Sequence, residues 1–116
     1  MKFLSTAILA IMLPLTASAN SVINFVWDTP TKREDGSPLP AIEISGYNLY
    51  EQGEKVAWIE GGDTTSFVYD YGGYGQPCFT ISTTDFWNQE GSQSPETCVN
   101  VFPAPPSAPV YLDTSN

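Results

Sequence analysis

Residues 78–98 read CFTISTTDFWNQEGSQSPETC. The stretch opens and closes on the two cysteines of the chain, and between them lie β-rich residues, a polar turn, and Phe86 and Trp87 at the tip. Alternation places Phe79 and Ile81 on the core face of a first strand, and Val99 and Val101 on the core face of a second. Cys78 and Cys98 fall out of phase with those residues on both strands. Residues paired across a ladder share a face, and a loop centred near Asn88 sets positions 78 and 98 opposite each other. The pattern predicts a β-hairpin clamped by a Cys78–Cys98 disulfide on its outer face, with the other strands packed against its inner face.

An even number of cysteines in a secreted chain favours a disulfide, and the N-terminus has the anatomy of a secreted chain. Met1 and Lys2 give a positive start, Phe3 to Leu15 an apolar run, and Ala17-Ser18-Ala19 a small-residue cleavage site. Residues 1–19 are therefore expected to be a signal peptide, residues 20–102 one folded domain, and residues 103–116 a proline-rich C-terminal tail. The apolar core of the leader is short of the ~20 residues needed to span a bilayer, and no later segment reaches that length. The expected location is secreted or periplasmic. There the disulfide would close a loop of about twenty residues and contribute ~3 kcal/mol in the chain-entropy model.

Composition narrows the function classes. The chain of 116 residues carries a net charge of −9, and loss of Lys2 with the leader leaves Lys32, Arg33 and Lys55 against thirteen acids. Nucleic-acid affinity rests on neutralising phosphates with Lys and Arg, so a nucleic-acid partner is not expected. The chain has no histidine, which removes the commonest general base and the imidazole metal ligands. No nucleophile elbow, P-loop or dinucleotide fingerprint occurs. A carboxylate pair, Asp85 with Glu90 or with Asp63, has the residue types of a glycosidase site. A domain this small offers little cleft to raise one of the two pKa values, and loop acids are ordinarily solvated turn residues. Asp35, Asp63 and Asp85 raise the question of calcium, but the loop spacing of a calcium hand is absent. No enzyme, cofactor or metal is expected.

Ahead of the hairpin, short β-rich runs alternate with Gly, Pro, Asp and Asn breaks, as in a sandwich or barrel. Val22 to Trp27 places Ile23, Phe25 and Trp27 on one face. Ile42 to Tyr50, interrupted at Ser45-Gly46, places Tyr47 and Leu49 on one face and Asn48 and Tyr50 on the other. Val56 to Ile59 is a short strand, and Thr65 to Tyr71 places Phe67, Tyr69 and Tyr71 together.

Three motifs in order, Trp27-Asp28-Thr29-Pro30, Glu34-Asp35-Gly36-Ser37-Pro38 and Gly46-Tyr47-Asn48-Leu49-Tyr50, resemble strand B through strand C of bacterial fibronectin type III domains. Cys78-Phe79-Thr80-Ile81, Asp85 and Gly91-Ser92-Gln93-Ser94 are similar to that family's strands F and G with the loop between them. The resemblance covers Val22 to Val101. It implies an all-β, immunoglobulin-like sandwich of about six or seven short antiparallel strands. It also implies packing roles for Trp27, Tyr47, Leu49, Phe79 and Ile81, and no catalysis.

Two features depart from the family. Pro77 stands where a tyrosine usually ties down the E–F corner, with Tyr71 and Tyr74 nearby as substitutes. Asn20 leads almost directly into strand B, so strand A is missing or is supplied by the tail, whose Pro105-Pro106-Ser107-Ala108-Pro109-Val110-Tyr111-Leu112 reads like the entry to such a strand. The tail could fold back, donate its strand to a neighbour in self-association, or stay an unstructured terminus. The resemblance gathers the B–C, C′–E and F–G loops at one end. That end would carry Lys32, Arg33, Asp63, Phe86, Trp87 and Asn88 as candidate binding residues, with Phe86 or Trp87 alternatively folding down as a plug. The expected function is a non-enzymatic binding or adhesion module that recognises a protein through its end loops. A strand-exchanging assembly protein and a glycan-binding module are the alternatives.

Overall fold

The computed structural model describes residues 21–111, 113 and 114, so the expected signal peptide lies outside the described residues. Among the described residues six strands form: β1 (Val22–Val26), β2 (Ile44–Glu51), β3 (Glu54–Glu60), β4 (Ser66–Asp70), β5 (Cys78–Asp85) and β6 (Thr97–Cys98). β1 and β4 make a two-stranded antiparallel sheet. The other four make a second antiparallel sheet in the order β3–β2–β5–β6. Antiparallel sheets with one face on a core show period-2 alternation, and β1 and β4 follow it, whereas β2 and β5 carry buried residues on both faces.

The core lies where the inner faces meet. Tyr47, Leu49 and Phe79 are its most deeply buried side chains, joined by Ile23, Ile44, Ile59 and Val101. Phe79 of the larger sheet meets Phe25 of β1 at 4.9 Å between ring centroids and Tyr69 of β4 at 5.8 Å, both edge-on. Such pairs each add about 0.5–1.5 kcal/mol beyond the area they bury. Trp27 lies against Tyr47 at 5.2 Å and, like Ile81, is partly buried at the margin of the core. The Tyr47 hydroxyl donates to the Gly62 carbonyl at 2.8 Å, which satisfies its polar end inside the sandwich.

β2 runs without a break through Ser45-Gly46, where an interruption was expected. The break appears instead as a register shift against β5 between Ile44 and Gly46. A Cβ at Gly46 would lie 2.4 Å from the Ile59 carbonyl oxygen and 2.6 Å from the Trp58 ring, so only glycine lets the indole pass this close to the backbone.

The outer face of the larger sheet is not simply solvated. Asn48 is buried there, and its amide nitrogen donates to Ser82 at 3.1 Å and Thr84 at 2.8 Å. Glu90 accepts from Ser82 at 2.5 Å and from the Tyr50 hydroxyl, closing a polar network over the sheet.

Cys78 and Cys98 stand directly opposite each other, bonded, with Cα atoms 3.9 Å apart. Val101 is buried and Val99 packs on the core, while Cys98 is exposed, as the alternation requires. The hairpin's second strand is shorter than expected, because regular pairing is confined to Thr97–Cys98. Between the Thr84–Glu90 bridge and the Phe79–Thr97 pair, five residue steps on β5 face seven on the return segment. The surplus falls around Ser94-Pro95. Pro95 has no N–H to donate, and the Ser94 hydroxyl accepts from the Ile81 N–H in place of a backbone carbonyl.

Because the disulfide closes the return segment where regular pairing is shortest, its loss should be felt mainly in stability. Replacing both cysteines with serine should lower the unfolding free energy by ~3 kcal/mol in denaturant titration. Thiol titration of the native protein should find no reactive group, and two reactive thiols would contradict the clamp.

Candidate functional site

The end of β5 organises the loops at one pole of the sandwich. Asp85, its last residue, is buried, and its carboxylate is fully engaged. Oδ1 accepts the backbone N–H of Trp87 at 3.0 Å and of Gln89 at 2.9 Å. Oδ2 accepts from Arg33 Nη1 at 2.8 Å. The backbone adds Asn88 N–H to the Asp85 carbonyl at 3.0 Å and Asp85 N–H to the Gln89 carbonyl at 3.1 Å. Asn88 takes a left-handed φ of 62° to complete this turn, a conformation that asparagine tolerates better than most residues.

Arg33 reaches across from the long loop after β1. Its second guanidinium nitrogen binds Glu43 at 2.9 Å, in the 3-10 turn that leads into β2. Phe86 N–H donates to the Glu43 carbonyl at 3.0 Å, so three separated pieces of chain are tied at one point. Glu34 fastens the far side of the same loop by accepting both the N–H and the hydroxyl of Ser92 at 2.7 Å.

The expected binding residues divide by position. Phe86 and Trp87 stand on top of this braced turn at 60% and 62% exposure, with ring centroids 6.3 Å apart. Neither folds down as a plug. The Arg33 guanidinium lies 5.6 Å from the Trp87 ring centroid, a cation–π contact that orients the indole. Lys32 and Arg33 line a cleft of about 450 Å³ between the loop after β1 and the β5–β6 return, and exposed Asn88 sits on the turn itself. Asp63 belongs to the turn after β3 and borders a separate depression beside Ala41 and Ile42.

Of the acids considered for chemistry, Asp85, Glu90 and Asp35 are committed to structure. Asp85 is held below the usual carboxylate range by its hydrogen bond from Arg33 and by the backbone N–H groups of Gln89 and Trp87. Glu90 is lowered by Ser82 and Tyr50, and Asp35 by its own turn with Ser37. A glycosidase needs one carboxyl raised toward neutrality, which is the opposite direction. Among the described residues, Cys78, Glu96 and Cys98 are the cluster with metal-ligand atoms within 4.8 Å of one another, and its two sulfurs are bonded to each other.

Inspection of the sequence misses the Arg33–Asp85 clasp, because the partners are 52 residues apart and no local spacing marks them. The one available signal is scarcity, since after residue 19 three cations face thirteen acids. The pairing of Lys55 with Trp58, 5.4 Å from ammonium to ring centroid on the outer sheet face, is missed for another reason: a register shift against β2 brings these residues, three apart on β3, to the same face.

No protein-family model and no curated protein matches the chain. Among solved structures, the chain is similar to the central fibronectin-III array of RIM-binding protein, with a TM-score of 0.53 and 22% identity over 68% of this chain and 28% of that one. The fold is that of a fibronectin type III domain. At this identity the likeness concerns the fold alone, and the chain spans less than a third of that array's length. In this fibronectin-like sandwich the loop after β1 and the β5–β6 turn meet at one pole, as the resemblance implied.

The clasp sets a pH dependence. Asp85, Glu34, Asp35 and Glu90 all have lowered folded-state pKa values. Their contribution to stability is therefore fully present above the ordinary carboxylate values near ~4 and is lost as pH falls through the lowered ones. Unfolding free energy should decline between about pH 5 and pH 2. Arg33→Met should flatten that decline, because it removes the largest cause of the Asp85 shift. An equally steep decline in the variant would contradict the assignment.

Proposed function

We propose that this chain is a secreted or periplasmic binding module of a bacterial envelope, and that it recognises another protein through the pole carrying Phe86 and Trp87. One observation carries the reading. Two large aromatic side chains stand exposed on a turn whose backbone N–H groups, from Asp85 to Gln89, all donate hydrogen bonds and whose base is an ion-paired carboxylate. Exposed aromatics are enriched among residues that dominate binding energy at interfaces. A tip already held in place loses little conformational entropy on binding. Recognition residues on loops carried by a rigid sandwich are a general arrangement, and fibronectin-like folds commonly serve protein–protein binding. The chain's acidity and scarcity of cations favour a partner with a basic or neutral surface around an apolar pocket. The engaged state of Asp85 and Glu90 supports a non-enzymatic role.

The partner should be sought with the mature protein immobilised against the extracytoplasmic fraction of its own source. Trp87→Ala should weaken capture at least ~30-fold, the scale of a 2 kcal/mol hot spot. Val68→Ala, an exposed residue of β4 on the opposite sheet, should leave capture unchanged. Equal retention by all three proteins would overturn the proposal. Because Trp87 is exposed, its loss should shift the denaturation midpoint little, within the ±0.5 kcal/mol usual for surface changes.

A further inference from the structure

Among the described residues, β1 has an open edge. Trp27 N–H donates to the Thr65 carbonyl and Tyr71 N–H to the Ser21 carbonyl, so the odd-numbered residues of β1 turn their backbone groups toward β4. By alternation, the N–H and C=O groups of Val22, Asn24 and Val26 face the other way, where among the described residues no strand pairs with them. Beside this edge an apolar groove of about 710 Å³ runs between β1 and the β5–β6 side, lined by Phe25, Leu49, Phe79, Ile81, Val99 and Val101 among others.

Edge strands are normally protected by charge, proline, a bulge or a cover. β3, an edge of the larger sheet, carries Glu54, Lys55 and Glu60, whereas β1 reads VINFV with none of these devices.

We infer that this edge accepts an extended strand from a second copy of the chain, formed by residues 107–111. The donor segment leaves the sandwich after Val101, which bridges Gly75 just beyond β4 at the end where β1 begins. From Phe102 to Tyr111 it is exposed, with Val110 and Tyr111 among the most exposed apolar residues. Folding straight back into its own groove is disfavoured by proline. Phe102, Ala104, Pro105 and Ala108 each precede a proline, which disfavours the helical backbone that a tight turn needs. The first place with two consecutive unrestricted residues is Pro106-Ser107. By then the chain has run about 12 Å in polyproline form, and through Tyr111 it stays exposed instead of turning back onto β1.

A second copy has no such constraint. In antiparallel addition, Ala108 and Val110 present their backbone groups to two neighbouring members of the row Val22, Asn24 and Val26, while Pro109, which lacks an N–H, faces away from the ladder. Paired residues share a face. Ala108 and Val110 therefore point outward beside the exposed Val22 and Val26, and Pro109 and Tyr111 point inward to the groove. The match is β-strand addition at an exposed edge. Reciprocal exchange closes a dimer, and one-way exchange builds a chain.

Sedimentation equilibrium of the mature protein over a wide concentration range tests this. The wild type should show at least twice the monomer mass. Truncation after Phe102, and Tyr111→Asp in the full chain, should give monomers with unchanged circular dichroism. Val110→Asp should associate like the wild type, because its side chain faces outward. A labelled peptide of residues 103–114 should bind the truncated domain. A monomeric wild type would overturn the inference, including one whose Val22, Asn24 and Val26 amides resist hydrogen exchange, since that would place the protein's own segment in the groove. Association that survives truncation would also overturn it.

Discussion

The Asp85 carboxylate holds one pole of the sandwich together by accepting from the Arg33 guanidinium and from two backbone N–H groups of the turn it begins. A buried carboxylate is costly without partners, so Arg33 has to be near it, and Arg33 brings with it the long loop after β1 and the start of β2 through Glu43. The loops at this pole are thus parts of one polar unit rather than independent surface segments. Phe86 and Trp87 project from that unit because the backbone beneath them is already spoken for. Electrostatics fixes the turn, and the turn displays the aromatics.

The remainder of the molecule follows from unequal sheets. A four-stranded sheet faces a two-stranded one, and the aromatic contacts of Phe79 with Phe25 and Tyr69 join them across the middle. The smaller sheet is too narrow to cover the larger. Its uncovered flank becomes the groove beside β1, and Val99 and Val101 form part of the floor. The molecule therefore exposes two different kinds of apolar surface. One is an aromatic tip on a braced turn. The other is the flank of a strand edge.

Much of the fold was legible in the sequence, because period-2 alternation in Ile23/Phe25/Trp27, Tyr47/Leu49 and Phe79/Ile81 reports directly on which face is buried. The Cys78–Cys98 pairing followed from the same alternation. What the pattern could not report was the seven-residue return opposite five on β5, since Ser94 lends a side-chain oxygen to the ladder and no propensity encodes that. Asn48, read as outward-facing, does face outward yet is buried, because Ser82, Thr84 and Glu90 build a polar lid over it from distant parts of the chain. At the candidate site the exposed tip was identifiable as a loop with two aromatics. Its brace was not, because an ion pair across 52 residues leaves no local trace. Asp85, which composition suggests is a solvated turn acid, is instead the least dispensable side chain of that pole.

A tip that is pre-organised rather than ordered on binding is read out by backbone 15N relaxation of the free protein. The amides of Phe86, Trp87, Asn88 and Gln89 should show order parameters near ~0.85, matching rigid backbone such as that of β2 and β5. Values below about 0.6 at these residues, with rigid strands on either side, would contradict it.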